Sequence, residues 1–267
     1  DLENITNDHL REPLTLIKYI NQQITDSKEY YVLIDEVQHL QRFEDALNTL
    51  LKNSQLDVYV TGSNARFLSK DVVTTFRGRG DEVRVHPLSF AEYLSVQQPL
   101  PFAEQHLNEY MRLGGLPQLV VMNSEQQKRQ YLSQLFANTY LVDIKERYAI
   151  RNDDDLEELI DVIASSIGSL TNPTKIANSF ASVKQSQLSK DTIKRYLDYM
   201  QDAFMIEKAV RYDIKGRKYI DTPAKYYFED LGLRNARINF RQTEPTHLME
   251  NLIYNELRVK GYSIDVG

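Results

Sequence analysis

Two carboxylates end a short apolar run near the start of the chain. The run from Tyr30 to Ile34 is followed directly by Asp35 and Glu36. A carboxylate at the end of a buried strand can hold the hydration shell of Mg²⁺, and a second one beside it can polarise a water for attack on a phosphate. This order of residues indicates the metal-assisted phosphate chemistry of nucleotide triphosphatases.

A second apolar run, from Asp57 to Val60, leads into the polar segment TGSN at 61–64. Parallel strands open at one edge of a sheet, so Ser63 or Asn64 is expected to face the γ-phosphate from the adjacent strand. Arg79 is a candidate for neutralising charge that develops on the phosphate. Each piece alone also fits a strand with a solvated turn, a turn that caps a helix, or ordinary surface charge.

The elements that must position these residues alternate between helix and strand. Positions 14–20 have helical spacing after Pro13, and a second helix is predicted through Phe43, Leu47 and Leu50. Strands that alternate with helices over such short distances indicate a parallel sheet covered on its faces. We therefore expect an α/β fold that begins with a partial P-loop-type parallel sheet.

The composition excludes several classes of protein. The chain has 267 residues, 42% apolar and 26% charged, a net charge of −6 and no cysteine. Disulfides and thiolate metal sites are thereby excluded, and the whole molecule is not basic like a typical nucleic-acid binder. No apolar stretch reaches the roughly 18 residues that span a bilayer. We expect a cytoplasmic protein with no membrane partner.

Helical spacing dominates after Pro87, with a turn at GGLP, positions 114–117. The acidic residues 153–155 are interpreted as the amino end of a helix and not as a metal site. Asn172 and Ser189 then begin two helices, and strand-like runs at 208–212 and 218–221 flank a turn. This is the order of a winged helix-turn-helix.

Positions 184–218 contain nine basic and five acidic residues. Basic side chains on a recognition helix and a wing could contact DNA phosphates, which would make binding fall with salt. Winged helices also act as protein-binding modules or as structural linkers, and both interpretations stay open. The candidate nucleic-acid contacts are Lys190, Lys194, Arg195, Lys215, Arg217 and Lys218.

The succession of motifs resembles a family of prokaryotic AAA-type ATPases, in which the ATPase domain precedes a winged helix and a C-terminal nuclease-like domain of unknown function. The resemblance covers nearly the whole chain. The matching motifs are VLIDEVQ at 32–38 (Walker B), TGSN at 61–64 (sensor 1), GR at 78–79, PLSFAEYL at 87–94 and GGLP at 114–117.

The resemblance implies ATP and Mg²⁺ as ligands, with Asp35 organising the metal and Glu36 acting as catalytic base. It also implies Ser63 or Asn64 as γ-phosphate sensor and Arg79 as an arginine finger offered to a neighbouring subunit of a homo-oligomer. The family's Gly-rich loop ending in Gly-Lys-Ser or Gly-Lys-Thr is not found in these 267 residues. We expect that loop upstream of the first residue, and no ATP hydrolysis by this fragment alone.

Four segments are predicted: a partial ATPase domain at 1–95, a helical lid or linker region at 96–170, a winged helix-turn-helix at 171–228, and the start of a truncated nuclease-like α/β domain at 229–267. Glu250 matches the first-helix glutamate of that nuclease-like fold, and we expect it to be an exposed helix residue here. Two alternatives to the ATPase hypothesis are a DNA-binding regulator with a vestigial nucleotide domain and a protein-interaction scaffold.

Overall fold

The computed structural model describes residues 1–62, 80–97, 103–150, 153–184, 188–212, 223–241 and 244–267. The chain forms two compact units, Asp1–Arg84 (unit 1) and Val85–Gly267 (unit 2). The mixed α/β class predicted from the sequence is confirmed. The division at Arg84 lies before the boundary predicted at residue 95, and the four-segment division itself stays a prediction.

Unit 1 contains a small parallel sheet and the helices that cover it. Strands β1 and β2 pair in parallel with Ile34 opposite Val60, which confirms the predicted parallel arrangement. The elements are a 3-10 helix at Ile5–Arg11, α1 at Pro13–Gln23, β1 at Tyr30–Ile34, a 3-10 turn at Val37–His39, α2 at Phe43–Leu50 and β2 at Leu56–Val60.

One face of this sheet is covered and the other is exposed. Leu16 of α1 and Leu47 of α2 belong to an apolar cluster that includes Ile34. On the other face, Tyr31, Leu33 and Tyr59 are 62%, 75% and 54% exposed. Because parallel sheets normally bury both faces, the described part of unit 1 forms two layers of what is usually a three-layer arrangement.

Unit 2 is mainly helical, as predicted for the region beyond Pro87. Its elements up to the second helix of the helix-turn-helix are α3 at Phe90–Ser95, α4 at Ala103–Leu113, a 3-10 turn at Pro117–Leu119, α5 at Glu125–Leu135, a π-helix at Phe136–Leu141, α6 at Val142–Arg147, α7 at Asp153–Ser165, α8 at Pro173–Lys184 and α9 at Lys190–Asp202. The helix predicted to begin at Asp153 is α7, whose inward residues are almost completely buried.

The predicted caps of the helix-turn-helix are confirmed. The Asn172 side chain accepts a hydrogen bond from Lys175 N (2.7 Å), and the Ser189 hydroxyl accepts one from Thr192 N (3.1 Å). Strand β3, Ile206–Val210, follows and pairs antiparallel with β4, Ala224–Phe228. The strand predicted at 218–221 lies outside the described residues. The two helices and the first strand occur in the predicted order, whereas β4 lies beyond the second predicted strand, and the assignment as a winged helix stays a prediction.

The last two helices share the core of unit 2. Helix α10 spans Leu231–Arg237 and α11 spans Pro245–Val259. Leu231 and Leu252 belong to the same apolar cluster as Leu156 of α7 and Ile193 of α9. Side chains of α11 also complete the hydrogen bonding of β4, since Asn251 bonds both N and O of Phe228 at 2.8 Å. The nuclease-like assignment of 229–267 stays a prediction.

Residues 86–90, which open unit 2 and are here called the anchoring segment, are bonded to separate parts of that unit. The contacts reach the GGLP turn, helix α11 and the end of β4. They are Leu88 N to Gly115 O (2.8 Å), Phe90 N to Glu256 Oε1 (2.7 Å) and His86 Nδ1 to Glu229 Oε1 (2.5 Å).

A buried carboxylate links the GGLP turn to α10. Asp230 is 3% exposed and accepts hydrogen bonds from Gly115 N (2.7 Å) and Leu233 N (2.9 Å). The Asn235 amide donates to two carbonyls in the last turn of α4, at 3.0 and 2.9 Å. Because buried polar groups are costly when unpaired, these bonds make the turn and α10 depend on each other.

Asparagine in place of Asp230 is expected to change the pH dependence of unfolding. Burial raises the pKa of Asp230 from 3.8 to about 6. Because the folded-state pKa lies above the unfolded one, ionisation lowers the free energy of unfolding by roughly 3 kcal/mol as the pH rises from about 4 to about 6. The stability difference between wild type and D230N, measured by urea unfolding, should therefore decrease by that amount between about pH 4 and pH 7.

The exposed Asp81 provides the control, since D81N should track the wild type at every pH. A difference between wild type and D230N that is the same at both ends of the range would contradict the prediction.

In the described ranges, no helix has the length and apolar character needed to cross a bilayer.

Candidate functional site

The tips of β1 and β2 lie side by side. Thr61 directly follows β2 and stands opposite Asp35, because Ile34 pairs with Val60. The Thr61 N–H donates to Ile34 O (2.9 Å), and the Thr61 carbonyl accepts from Val37 N (2.9 Å). The sheet therefore continues one residue past each strand and brings both polar tips to the same edge, as the sequence predicts for parallel strands.

Each carboxylate accepts a hydrogen bond from a side chain that lies beyond a strand end, Thr61 after β2 and Gln38 in the turn after β1. The Thr61 hydroxyl donates to Asp35 Oδ1 and accepts from Glu36 N at 3.2 Å. The Gln38 amide donates to Glu36 Oε2. The Asp35 side chain is exposed and Glu36 is half-buried.

Glu36 has a left-handed backbone, with φ 54° and ψ 55°. A residue other than glycine pays about 1–3 kcal/mol for this region, and such strain is concentrated at functional sites. This turn changes the direction of the chain directly after β1, so the side chains of Asp35 and Glu36 point in different directions. Leu2 N donates to Asp35 O (3.1 Å), which adds a third segment to the tip.

The oxygen atoms at this edge suit part of a Mg²⁺ shell. Mg²⁺ is usually bound through one or two carboxylates, several waters and the phosphates of a nucleotide. Asp35 offers an exposed carboxylate of that kind, and the described ranges contain no cluster of three or more His, Cys, Asp or Glu that could form a complete cage. The residues therefore fit a metal that arrives with a phosphate-bearing ligand.

Three predicted site residues lie outside the described part of the chain: Ser63, Asn64 and Arg79. Their roles as γ-phosphate sensor and arginine finger stay predictions. Sequence reasoning gave no role to two residues that contact the carboxylates, Thr61 and Gln38. Register could have found Thr61, since aligning the two apolar runs places it opposite Asp35. No comparable signal pointed to Gln38.

The proposed DNA-contact residues on α9 are exposed. Lys190, Lys194 and Arg195 all face solvent, as do the carboxylates Asp191 and Asp198 on the same helix. The carboxylates stand one turn from Arg195 and Lys194, so they reduce the positive potential of this surface. Lys215, Arg217 and Lys218 lie outside the described residues.

Glu250 differs from the exposed residue expected from the sequence. It is half-buried on α11, and its Oε1 accepts hydrogen bonds from Lys225 Nζ and Tyr227 Oη, both at 2.6 Å. Burial acts to raise the pKa of Glu250, but these bonds outweigh it and leave the pKa below its usual value. The side chain therefore joins α11 to β4 as a charged structural link.

Comparisons with known proteins give two family matches and two relatives. Residues 1–94 match an AAA domain, and residues 104–244 match a domain of unknown function, DUF8612. An uncharacterized protein of Haemophilus influenzae is 36% identical over 252 residues, which cover 93% of this chain and 62% of that protein. An uncharacterized protein of Methanocaldococcus jannaschii is 28% identical over 271 residues, 98% of this chain and 59% of that protein.

The chain thus spans about three fifths of the length of the curated relatives that it matches. The AAA match ends at residue 94, in the region where the sequence predicted the end of the ATPase domain. The second match covers more than half of the chain. The chain therefore belongs to the DUF8612 family, and its N-terminal part matches the AAA domain of nucleotide-binding ATPases.

Proposed function

We propose that the intact protein is a AAA-type ATPase that binds ATP and Mg²⁺ at the joined tips of β1 and β2. The observation that carries this proposal is the Asp35 and Glu36 pair bonded to Thr61 at the edge of a parallel strand pair, within a segment that matches an AAA domain. Ligands of α/β proteins bind at this edge of the sheet.

In this function Asp35 organises Mg²⁺ through its exposed carboxylate. Glu36 accepts a proton from the water that attacks the γ-phosphorus, while the bond from that phosphorus to the oxygen of the leaving ADP breaks. Ser63 or Asn64 contacts the γ-phosphate, and Arg79 stabilises the developing charge in a neighbouring subunit. These 267 residues contain no Gly-rich loop ending in Gly-Lys-Ser or Gly-Lys-Thr, so we expect no ATP turnover by this chain alone.

Isothermal titration calorimetry of the intact protein tests this function. We expect ATP with Mg²⁺ to bind, and we expect the 267-residue chain to bind it far more weakly because it lacks the loop amides and lysine that hold phosphates. An intact protein that shows no affinity for ATP would overturn the proposal. Size-exclusion chromatography with and without ATP then tests whether Arg79 has a neighbouring subunit to act on.

A second candidate function is DNA binding through α9 and the strand pair. It is favoured by the exposure of Lys190, Lys194 and Arg195, together with Lys208 and Arg211 on and after β3. These side chains could neutralise phosphates, and none of them reads as a specific base contact. Binding of this kind should weaken steeply as salt increases.

Mobility shift of duplex DNA across a salt series tests this second function. Alanine at Lys190, Lys194 and Arg195 together should remove up to about three phosphate contacts. The slope of the logarithm of affinity against the logarithm of salt concentration should become shallower by up to about three. Alanine at the exposed Lys18 and Lys52 of unit 1 is the control, and it should leave the slope unchanged. Absence of any retardation at low ionic strength rejects DNA binding. If calorimetry also shows no ATP binding by the intact protein, a nucleotide-independent interaction scaffold is the better description.

A further inference from the structure

The Thr61 hydroxyl links the Asp35 carboxylate to the backbone N–H of Glu36. Its hydrogen is donated to Asp35 Oδ1, and one of its lone pairs accepts the N–H of Glu36. A hydroxyl has one hydrogen to give, so this hydrogen is already used and is not offered to a phosphate. Thr61 is therefore suited to orienting its neighbours, which separates its role from that of Ser63 or Asn64.

Among the described residues, this contact leaves the other oxygen of the exposed Asp35 carboxylate open for a metal ligand role. Groups that bond to a metal-binding carboxylate fix its orientation, and their loss typically weakens metal affinity about 10–100-fold. A carboxylate at a strand tip without such a partner could rotate freely about its side-chain bonds. Thr61 removes that freedom from the side of the neighbouring strand.

The same hydroxyl holds the turn that carries Glu36. Thr61 receives the Glu36 N–H through its side chain, and its carbonyl receives the N–H of Val37. The Glu36 backbone is in the left-handed region, which persists only where surrounding contacts hold it. Gln38 then contacts the Glu36 carboxylate from the far side of the turn.

We propose that Thr61 is a positioning residue, which orients Asp35 toward a divalent cation and holds the turn that presents Glu36. The inference rests on the proposed ATPase function and assigns to Thr61 a role distinct from the γ-phosphate sensing proposed for Ser63 or Asn64. The hydroxyl is the essential group, so serine should replace threonine and the isosteric valine should not.

Binding of Mn²⁺ to the intact protein together with a non-hydrolysable ATP analogue, followed by electron paramagnetic resonance, tests the proposal without ATP turnover. We expect D35N to abolish the strand-tip site, T61V to weaken Mn²⁺ affinity about 10–100-fold, and T61S to stay within about threefold of wild type. Thr49→Val is the matched control, because Thr49 is exposed on α2 and its hydroxyl donates to the carbonyl of Asp45 in the same helix. Circular dichroism verifies that each variant is folded.

A second readout is hydrogen exchange of the Glu36 amide, which should become at least tenfold faster in T61V and remain slow in T61S. T61V with wild-type Mn²⁺ affinity in the presence of the nucleotide analogue, or wild-type Mn²⁺ binding that does not depend on Asp35, would overturn the inference. Those results would leave the ATPase function standing if calorimetry of the intact protein shows ATP binding. An intact protein without ATP affinity would instead reject the ATPase function, whatever Mn²⁺ does.

Discussion

Glutamine in place of Glu36 is expected to reduce ATP hydrolysis by the intact protein by a factor of about 10²–10⁴, because the amide cannot accept the proton of the attacking water. ATP affinity should remain within about twofold of wild type, since Glu36 acts on the water and not on the nucleotide. Steady-state phosphate release gives the rate, and calorimetry gives the affinity.

The control for this substitution is Glu29→Gln. Glu29 is an exposed carboxylate just before the opposite end of β1, so its loss tests whether charge near the strand matters by itself. E29Q should hydrolyse ATP at the wild-type rate. If E36Q keeps more than a tenth of wild-type turnover, Glu36 is not the general base.

Alanine in place of Gly232 is expected to destabilise unit 2 by about 3 kcal/mol or more. Gly232 lies in the first turn of α10, where an added Cβ would overlap the carbonyl oxygen of Leu113. A backbone atom cannot rotate away as a side chain can, so α10 would have to separate from the end of α4. Because the whole stability of a domain is about 5–15 kcal/mol, urea unfolding should show this loss clearly.

Gly80→Ala serves as the matched control, since an added Cβ at Gly80 meets no atom of the described residues within 4 Å. This variant should unfold within about 0.5 kcal/mol of wild type. A G232A protein as stable as wild type would mean that α10 and α4 can move apart at little cost. The close contact between them would then not be a constraint on the fold.

The sequence predicted those parts of the fold that depend on local pattern. Both strands of unit 1, the helix at Phe43–Leu50 and the helix beginning at Asp153 all occur where apolar spacing indicated them. Strand β4, Ala224–Phe228, lies at the end of the segment predicted as a winged helix, beyond the strand-like run at 218–221. Its burial against α11 decides its place, and the sequence pattern alone does not reveal that contact.

The functional site was predicted only in part, because some of its residues carry no local signal in the sequence. Asp35 and Glu36 stand out because they interrupt an apolar run, whereas Thr61 becomes informative only when the register of the two strands is known. The link from Asp230 to Gly115 joins residues that are far apart in the chain, and no local signal indicates it. Glu250 was expected to be exposed because helix position alone does not show the lysine and tyrosine of the neighbouring strand.

The anchoring segment has a mechanical consequence for any work that unit 1 performs. A pull on the chain at Val85 would be borne by Leu88, Phe90 and His86, and through them by three separate elements of unit 2. Because these contacts follow one another along the chain, such a load would break them in succession, and the segment would come free only after the end of β4, the GGLP turn and α11 had each released it.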